Sequence, residues 1–114
     1  MLTEEIPAPE ALGRTTIAGM NASDFRRTLD QNEPPAGLPP LAEALWREAH
    51  GEWDRAHQIA QDVPGRDGAW VHAYLHRKDG DTSNAGYWYG QAGRPLPEMT
   101  FDEEWEQIAA ALLR

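Results

Sequence analysis

Hydrophobic and polar positions alternate along this chain with a helical period from about residue 40 onward, in short segments separated by glycine and proline. Between Pro40 and His50, Leu41, Ala42, Ala44, Leu45, Trp46 and Ala49 share one broad arc and leave Glu43, Arg47 and His50 outside it. Trp53, Ala56, Ile59, Ala60 and Val63 gather on one side of a second segment, about 52–63, which Pro64-Gly65 ends. A third, about 67–79 with Asp67 as its expected N-cap, presents Trp70, Val71, Ala73, Tyr74 and Leu75. In a fourth, about 82–92, Ala85, Trp88, Tyr89 and Ala92 form a tight stripe. Thr100 followed by Glu103 has the capping-box pattern that opens a last helix, with Phe101, Trp105, Ile108, Ala109 and Leu112 on its apolar side. The pattern predicts an all-α protein.

The region before residue 40 reads differently. Residues 1–20 have scattered apolar positions, Pro7, Pro9, Gly13 and Gly19, and no helical period, so an irregular arm is expected. A short helix is expected over Ser23–Gln31, capped by Asn21 or Ser23, with Phe25 and Leu29 one turn apart. Glu33-Pro34-Pro35-Ala36-Gly37-Leu38-Pro39-Pro40 is a stiff connector, because proline fixes φ and removes an amide hydrogen. The expected division is therefore an arm with a short helix and proline-rich connector over 1–38, and a helical domain over 39–114.

Within that domain a register repeats. Gly51 and Gly80 are separated by 29 residues, as are Ala56 and Ala85, with Glu52 and Asp81 in step. Each glycine interrupts a helix of roughly ten residues, so each copy reads as helix, one-residue break, helix. Self-similarity at a fixed period is the mark of stacked helical units. Gly80-Asp81, Ala85, Tyr89 and Ala92 resemble the second half of a tetratricopeptide or Sel1-like repeat, and Gly51-Glu52, Ala56, Ala60 and Pro64 resemble a second copy. The resemblance covers about residues 40–95. It implies two stacked helical hairpins, closed by the last helix as a cap, and a surface offered to a protein or peptide. The chain departs from that family in its 29-residue spacing and in Pro40 and Ala69, which stand at the usual tryptophan site.

Charge and composition narrow the partners. Ten basic against nineteen acidic residues give a net charge of −9, a field that repels phosphate backbones and anionic lipid. Neither nucleic acid nor a membrane is an expected partner. No apolar run is long enough to span a bilayer, and the first residues lack the features of a signal peptide, so a cytoplasmic location is expected. The chain has no cysteine, which excludes disulfides, thiolate metal sites and a cysteine nucleophile. Its only serines, Ser23 and Ser83, lie outside any nucleophile-elbow context.

The candidate chemistry is sparse. His72 and His76 stand one helical turn apart, a spacing that holds a transition ion if further ligands are supplied, and His50 or His57 could complete such a set. Ala73 occupies the place of the glutamate that acts as base in zinc peptidases, which excludes that chemistry. Tyr87 lies off the stripe of its helix and, with His72, His76 and Arg94, forms a candidate recognition patch. The acidic run 102–106 reads as a solvated helix start. No catalytic constellation emerges, and neither a cofactor nor a metal is assigned. The expected function is a small non-enzymatic protein–protein interaction module, with self-association as a further possibility. The alternative is a metal- or small-ligand-binding protein, or an enzyme, using His72, His76, Tyr87 and Arg94.

Overall fold

The chain is all-α in a computed structural model that describes residue 17 and residues 19–113 of the 114. Most of the arm expected over 1–20 lies outside the described residues. Among the described residues there are six α-helices: α1 (Ala22–Arg27), α2 (Pro40–Ala49), α3 (Trp53–Gln61), α4 (Arg66–Lys78), α5 (Thr82–Ala92) and α6 (Phe101–Leu112). Among the described residues there is no strand.

The local reasons for these elements are visible at their ends. Asn21 caps α1: its side-chain oxygen accepts the Asp24 amide at 2.8 Å, and the Asp24 carboxylate returns the bond to the Asn21 amide at 3.3 Å. The helix expected to reach Gln31 instead tightens into a 3₁₀ turn at Thr28–Asp30. Pro40 occupies the first turn of α2, where its missing amide costs nothing. Thr100 and Glu103 form the expected capping box of α6.

The two glycine breaks share one geometry. Gly51 and Gly80 take φ of 86° and 79°, a left-handed conformation that glycine reaches without strain. The amide of Glu52 returns to the Arg47 carbonyl at 2.8 Å, and that of Asp81 to the His76 carbonyl at 2.9 Å. Gly51 and Gly80 donate to the Glu48 and Arg77 carbonyls, completing a Schellman motif at each break.

Successive helices α2 to α5 are neighbours in space, while α6 lies across α1, α2 and α4. Ala44, Ala56 and Ala73 are fully buried, and their small side chains let helix axes approach. Larger groups fill the space around them: Trp46, Leu45, Tyr74, Leu75 and Tyr89 are buried. Trp46 sends its indole N–H to the Thr28 hydroxyl at 3.1 Å, which itself donates to the Phe25 carbonyl at 2.6 Å. Phe25, fully buried, stacks on Trp105 with ring centroids 5.3 Å apart. The segment around α1 therefore shares the core of α2 and α6.

Several expectations are corrected. Asp67 is not the cap of α4. Gly65 is, at φ 97°, and the helix begins one residue earlier. Ala49 is exposed while Glu48 is buried, its carboxylate 3.2 Å from the Lys78 ammonium. Phe101 is 41% exposed, covered in part by the cations of Arg77 and Lys78 at 4.6 and 5.3 Å from its ring. Glu104 is no part of a solvated helix start: it is 1% exposed, for reasons of pairing taken up in the Discussion.

Candidate metal centre

Three imidazoles meet between α3 and α4. His72 and His76 come from successive turns of α4, and their rings stack with centroids 5.0 Å apart. Packing of α3 on α4 brings in His57, whose ring lies edge-on to both at 4.6 and 5.1 Å. One ring nitrogen from each residue can be chosen so that all three lie within 4.8 Å of one another. The Nε2 atoms of His57 and His72 are 2.9 Å apart, a hydrogen bond in which one ring donates and the other accepts.

Two tryptophans wall the cluster. Trp53 begins α3 and stacks on His57 with centroids 4.9 Å apart; its indole N–H donates to the Leu75 carbonyl at 2.7 Å, which fixes the ring against α4. Trp88, on α5, lies flat on His72 at 4.0 Å. His72 is buried, while His57 and His76 are half-buried, so the cluster sits at an edge of the core with a side open toward solvent.

Burial and crowding favour the neutral form of His72 and His57. The imidazole of His72 is held down to about 4 by desolvation and by the proximity of His57 and His76. That of His57 is lowered by desolvation and by His76, with Asp54 opposing. Neutral imidazole is the form that coordinates a metal. The same shift has a consequence for stability. An unfolded histidine takes up a proton near pH 6.5, whereas folded His72 does so only near 4, so the unfolded state binds more protons in between. Stability from this group is present above pH 6.5 and is lost as the pH falls toward 4. Urea unfolding of chelator-treated protein at pH 7.5, 6 and 5 should show that decline, reduced in His72→Gln. An equal decline in both proteins would remove His72 as its source.

The remaining candidates fall elsewhere. Tyr87 is 58% exposed and stands edge-on to Trp88, one ring beyond the cluster. Arg94 does not reach the imidazoles; its guanidinium lies 3.3 Å above the centre of the Trp70 ring, in a shallow cleft beside Gln107, Ala110 and Ala111. His50 is engaged separately, stacked on Trp46 at 4.1 Å and with Nε2 3.0 Å from the Leu29 carbonyl. Of the two histidines that could join the α4 pair, the fold thus brings His57. Nothing in the spacing of residues 57, 72 and 76 identifies it, since the choice depends on how α3 lies against α4.

No helix among the described residues is long and apolar enough to cross a membrane. Comparison with family models, with curated proteins and with solved structures finds no match to this chain.

Proposed function

We propose that this protein binds a divalent transition-metal ion through His57, His72 and His76. The observation that carries the proposal is the convergence of three imidazole nitrogens from two helices within 4.8 Å. Nitrogen ligands of this type suit zinc, copper and nickel, with oxygen-preferring ions such as magnesium and calcium disfavoured. A tetrahedral ion with bonds of about 2.0–2.1 Å holds its ligand nitrogens roughly 3.3 Å apart. The His57–His72 separation of 2.9 Å is already near that value, so rotation of the rings, chiefly of His76, completes the set. The ion takes the place of the proton that the two rings share, which moves to Nδ1 of the donating ring so that both imidazoles bind as neutral ligands. Three histidines leave one coordination position for water or an external donor.

Isothermal titration of chelator-stripped protein with zinc tests the proposal. Wild type is expected to bind one equivalent, and His57→Ala to bind at least about tenfold more weakly, having lost one of three ligands. His57 lies at the edge of the core, only partly buried, so this variant should melt close to wild type without metal. Absence of binding by wild type, or unchanged affinity in His57→Ala, would overturn it.

A second reading, favoured by the exposed ring of Tyr87 beside the cluster, is a non-enzymatic protein-interaction module acting in the cytoplasm. Aromatic side chains at that exposure serve as interface anchors. Recovery of the same partners from native extract by wild type and Tyr87→Ala would count against that surface.

A further inference from the structure

We infer that Asp81 is the outer carboxylate of this metal centre: with an ion bound, it would accept a hydrogen bond from Nδ1 of His76 and so turn Nε2 of His76 toward the ion. The inference rests on the metal-binding reading above and assigns one ligand atom within it. Its starting point is an unsatisfied atom. Nδ1 of His76 is buried and, among the described residues, has no hydrogen-bond partner. A buried polar atom left unpaired is costly, and in a native structure it calls for an explanation. Among the described residues the nearest carboxylate oxygen is Oδ2 of Asp81 at 3.9 Å, outside hydrogen-bond range. On this inference, metal binding rotates His76 so that Nδ1 approaches Asp81 and Nε2 approaches the ion.

The 29-residue register supplies an independent argument. Counting back 29 positions from His72, His76 and Asp81 gives Glu43, Arg47 and Glu52. In the first unit these three are linked in one chain of charge: the Arg47 guanidinium lies 3.1 Å from the Glu43 carboxylate and 3.3 Å from that of Glu52. The backbone around each trio is the same Schellman break, with the acid returning its amide to the carbonyl of the basic residue five positions earlier. Position 81 is thus placed to face side chain 76, as position 52 faces side chain 47. The second unit keeps the acid and replaces Glu and Arg by two imidazoles, next to a third from α3. An ion-pair chain in one unit corresponds to a ligand pair with its carboxylate in the other.

Asp81 is held ready for this role by α5. As N-cap it accepts the Asn84 amide at 3.3 Å on Oδ1 and the Asn84 side-chain amide at 2.8 Å on Oδ2. Those bonds fix the carboxylate plane and leave lone-pair capacity on Oδ2, the oxygen nearer His76. A carboxylate behind a metal-bound imidazole fixes the tautomer and raises the basicity of the ligating nitrogen; losing it costs about 10–100-fold in metal affinity.

Asp81→Asn is the informative variant, because asparagine is as good an N-cap as aspartate and α5 should remain intact. Zinc titration of wild type, Asp81→Asn, Asp81→Glu and Glu52→Gln should be combined with nitrogen NMR of the histidine rings. Wild type is expected to bind zinc with His76 protonated at Nδ1 and coordinated through Nε2. Asp81→Asn should bind about 10–100-fold more weakly with its metal-free melting temperature little changed. Asp81→Glu, which places in the second unit the acid found in the first, should retain affinity within a few-fold. Glu52→Gln should leave zinc affinity unchanged. Wild-type binding with equal affinity in Asp81→Asn, or with His76 coordinated through Nδ1, overturns this inference and leaves the metal proposal standing. Failure of wild type to bind zinc overturns both.

Discussion

Glu104→Ala is expected to destabilise the protein by about 3–5 kcal/mol, the range for breaking a buried ion pair from one side. Glu104 is 1% exposed and ties α6 to two other helices. Its carboxylate accepts the Arg77 guanidinium at 2.8 Å and the Trp70 indole N–H at 3.2 Å, both from α4, and the Tyr89 hydroxyl of α5 lies 2.7 and 2.9 Å from its two oxygens. Burial and the neighbouring Glu104 push the Tyr89 phenol well above its ordinary range, so it remains a donor across the accessible pH range. Alanine at 104 would leave a half-buried guanidinium without its counter-ion and two buried donors without an acceptor. Removing one partner costs far more than the net worth of the bonds, because the stranded groups keep their desolvation penalty.

Urea unfolding measures the loss directly, and the melting temperature should fall by about 10–20 °C for a domain of this size. Glu104→Gln keeps the shape and one good acceptor, so its cost should be smaller. The double variant Glu104→Leu/Arg77→Met, which removes both charges, should recover part of the loss, since apolar replacement of a buried pair is often close to neutral. A Glu104→Ala protein within about 1 kcal/mol of wild type would show that the cluster contributes no more than a typical hydrogen bond.

Why Glu104 escapes a reading of the sequence is instructive. The run 102–106 looks like the acidic first turn of a helix, which is favourable for the dipole whatever else occurs. Yet Glu104 stands three residues after Phe101 and four before Ile108, within the apolar stripe itself. That spacing is a local signal that one acid faces inward. Its partners are another matter: Trp70, Arg77 and Tyr89 reach it from 34, 27 and 15 residues away, through packing that no period encodes. Gly68 is a similar case. It reads as an ordinary helix position, but a Cβ there would lie 2.0 Å from the Val63 carbonyl oxygen, so the turn into α4 requires glycine.

What was legible follows from local physics. Helical period gave α2 to α6 within a residue or two, the glycines gave both breaks, and the Thr100/Glu103 pair gave the start of α6. Those features depend on residues a turn or two apart. The His72/His76 pair was visible for the same reason, and Asp81 was visible as the partner of Glu52 in the 29-residue register. His57 was not distinguishable from His50, because each follows a tryptophan by four residues on its own helix. Their fates differ through tertiary contacts: His50 turns to the Leu29 carbonyl, while His57 turns into α4. The proposed centre is therefore half local and half a product of packing.

Phe25→Ala is expected to cost about 3–5 kcal/mol and to shift a single cooperative transition, the usual outcome of deleting a fully buried aromatic ring. A division at residue 38 would make α1 part of an appended arm, whose loosening leaves the melting of residues 39–114 unchanged. The packing leads to the opposite expectation. Phe25 stacks nearly parallel to Trp105, at 10°, while the Arg26 guanidinium lies 4.7 Å from the centre of the Trp105 ring. Trp105 in turn donates its indole N–H to the Leu45 carbonyl at 3.2 Å, so one ring links α1, α2 and α6. Removing Phe25 should leave a cavity against that junction and strand none of its polar groups, making the loss one of packing. Tryptophan fluorescence and far-ultraviolet circular dichroism should report the same lowered midpoint. If the fluorescence changed at low urea while the helical signal kept its wild-type midpoint, α1 would be melting by itself, and the core would end at α2.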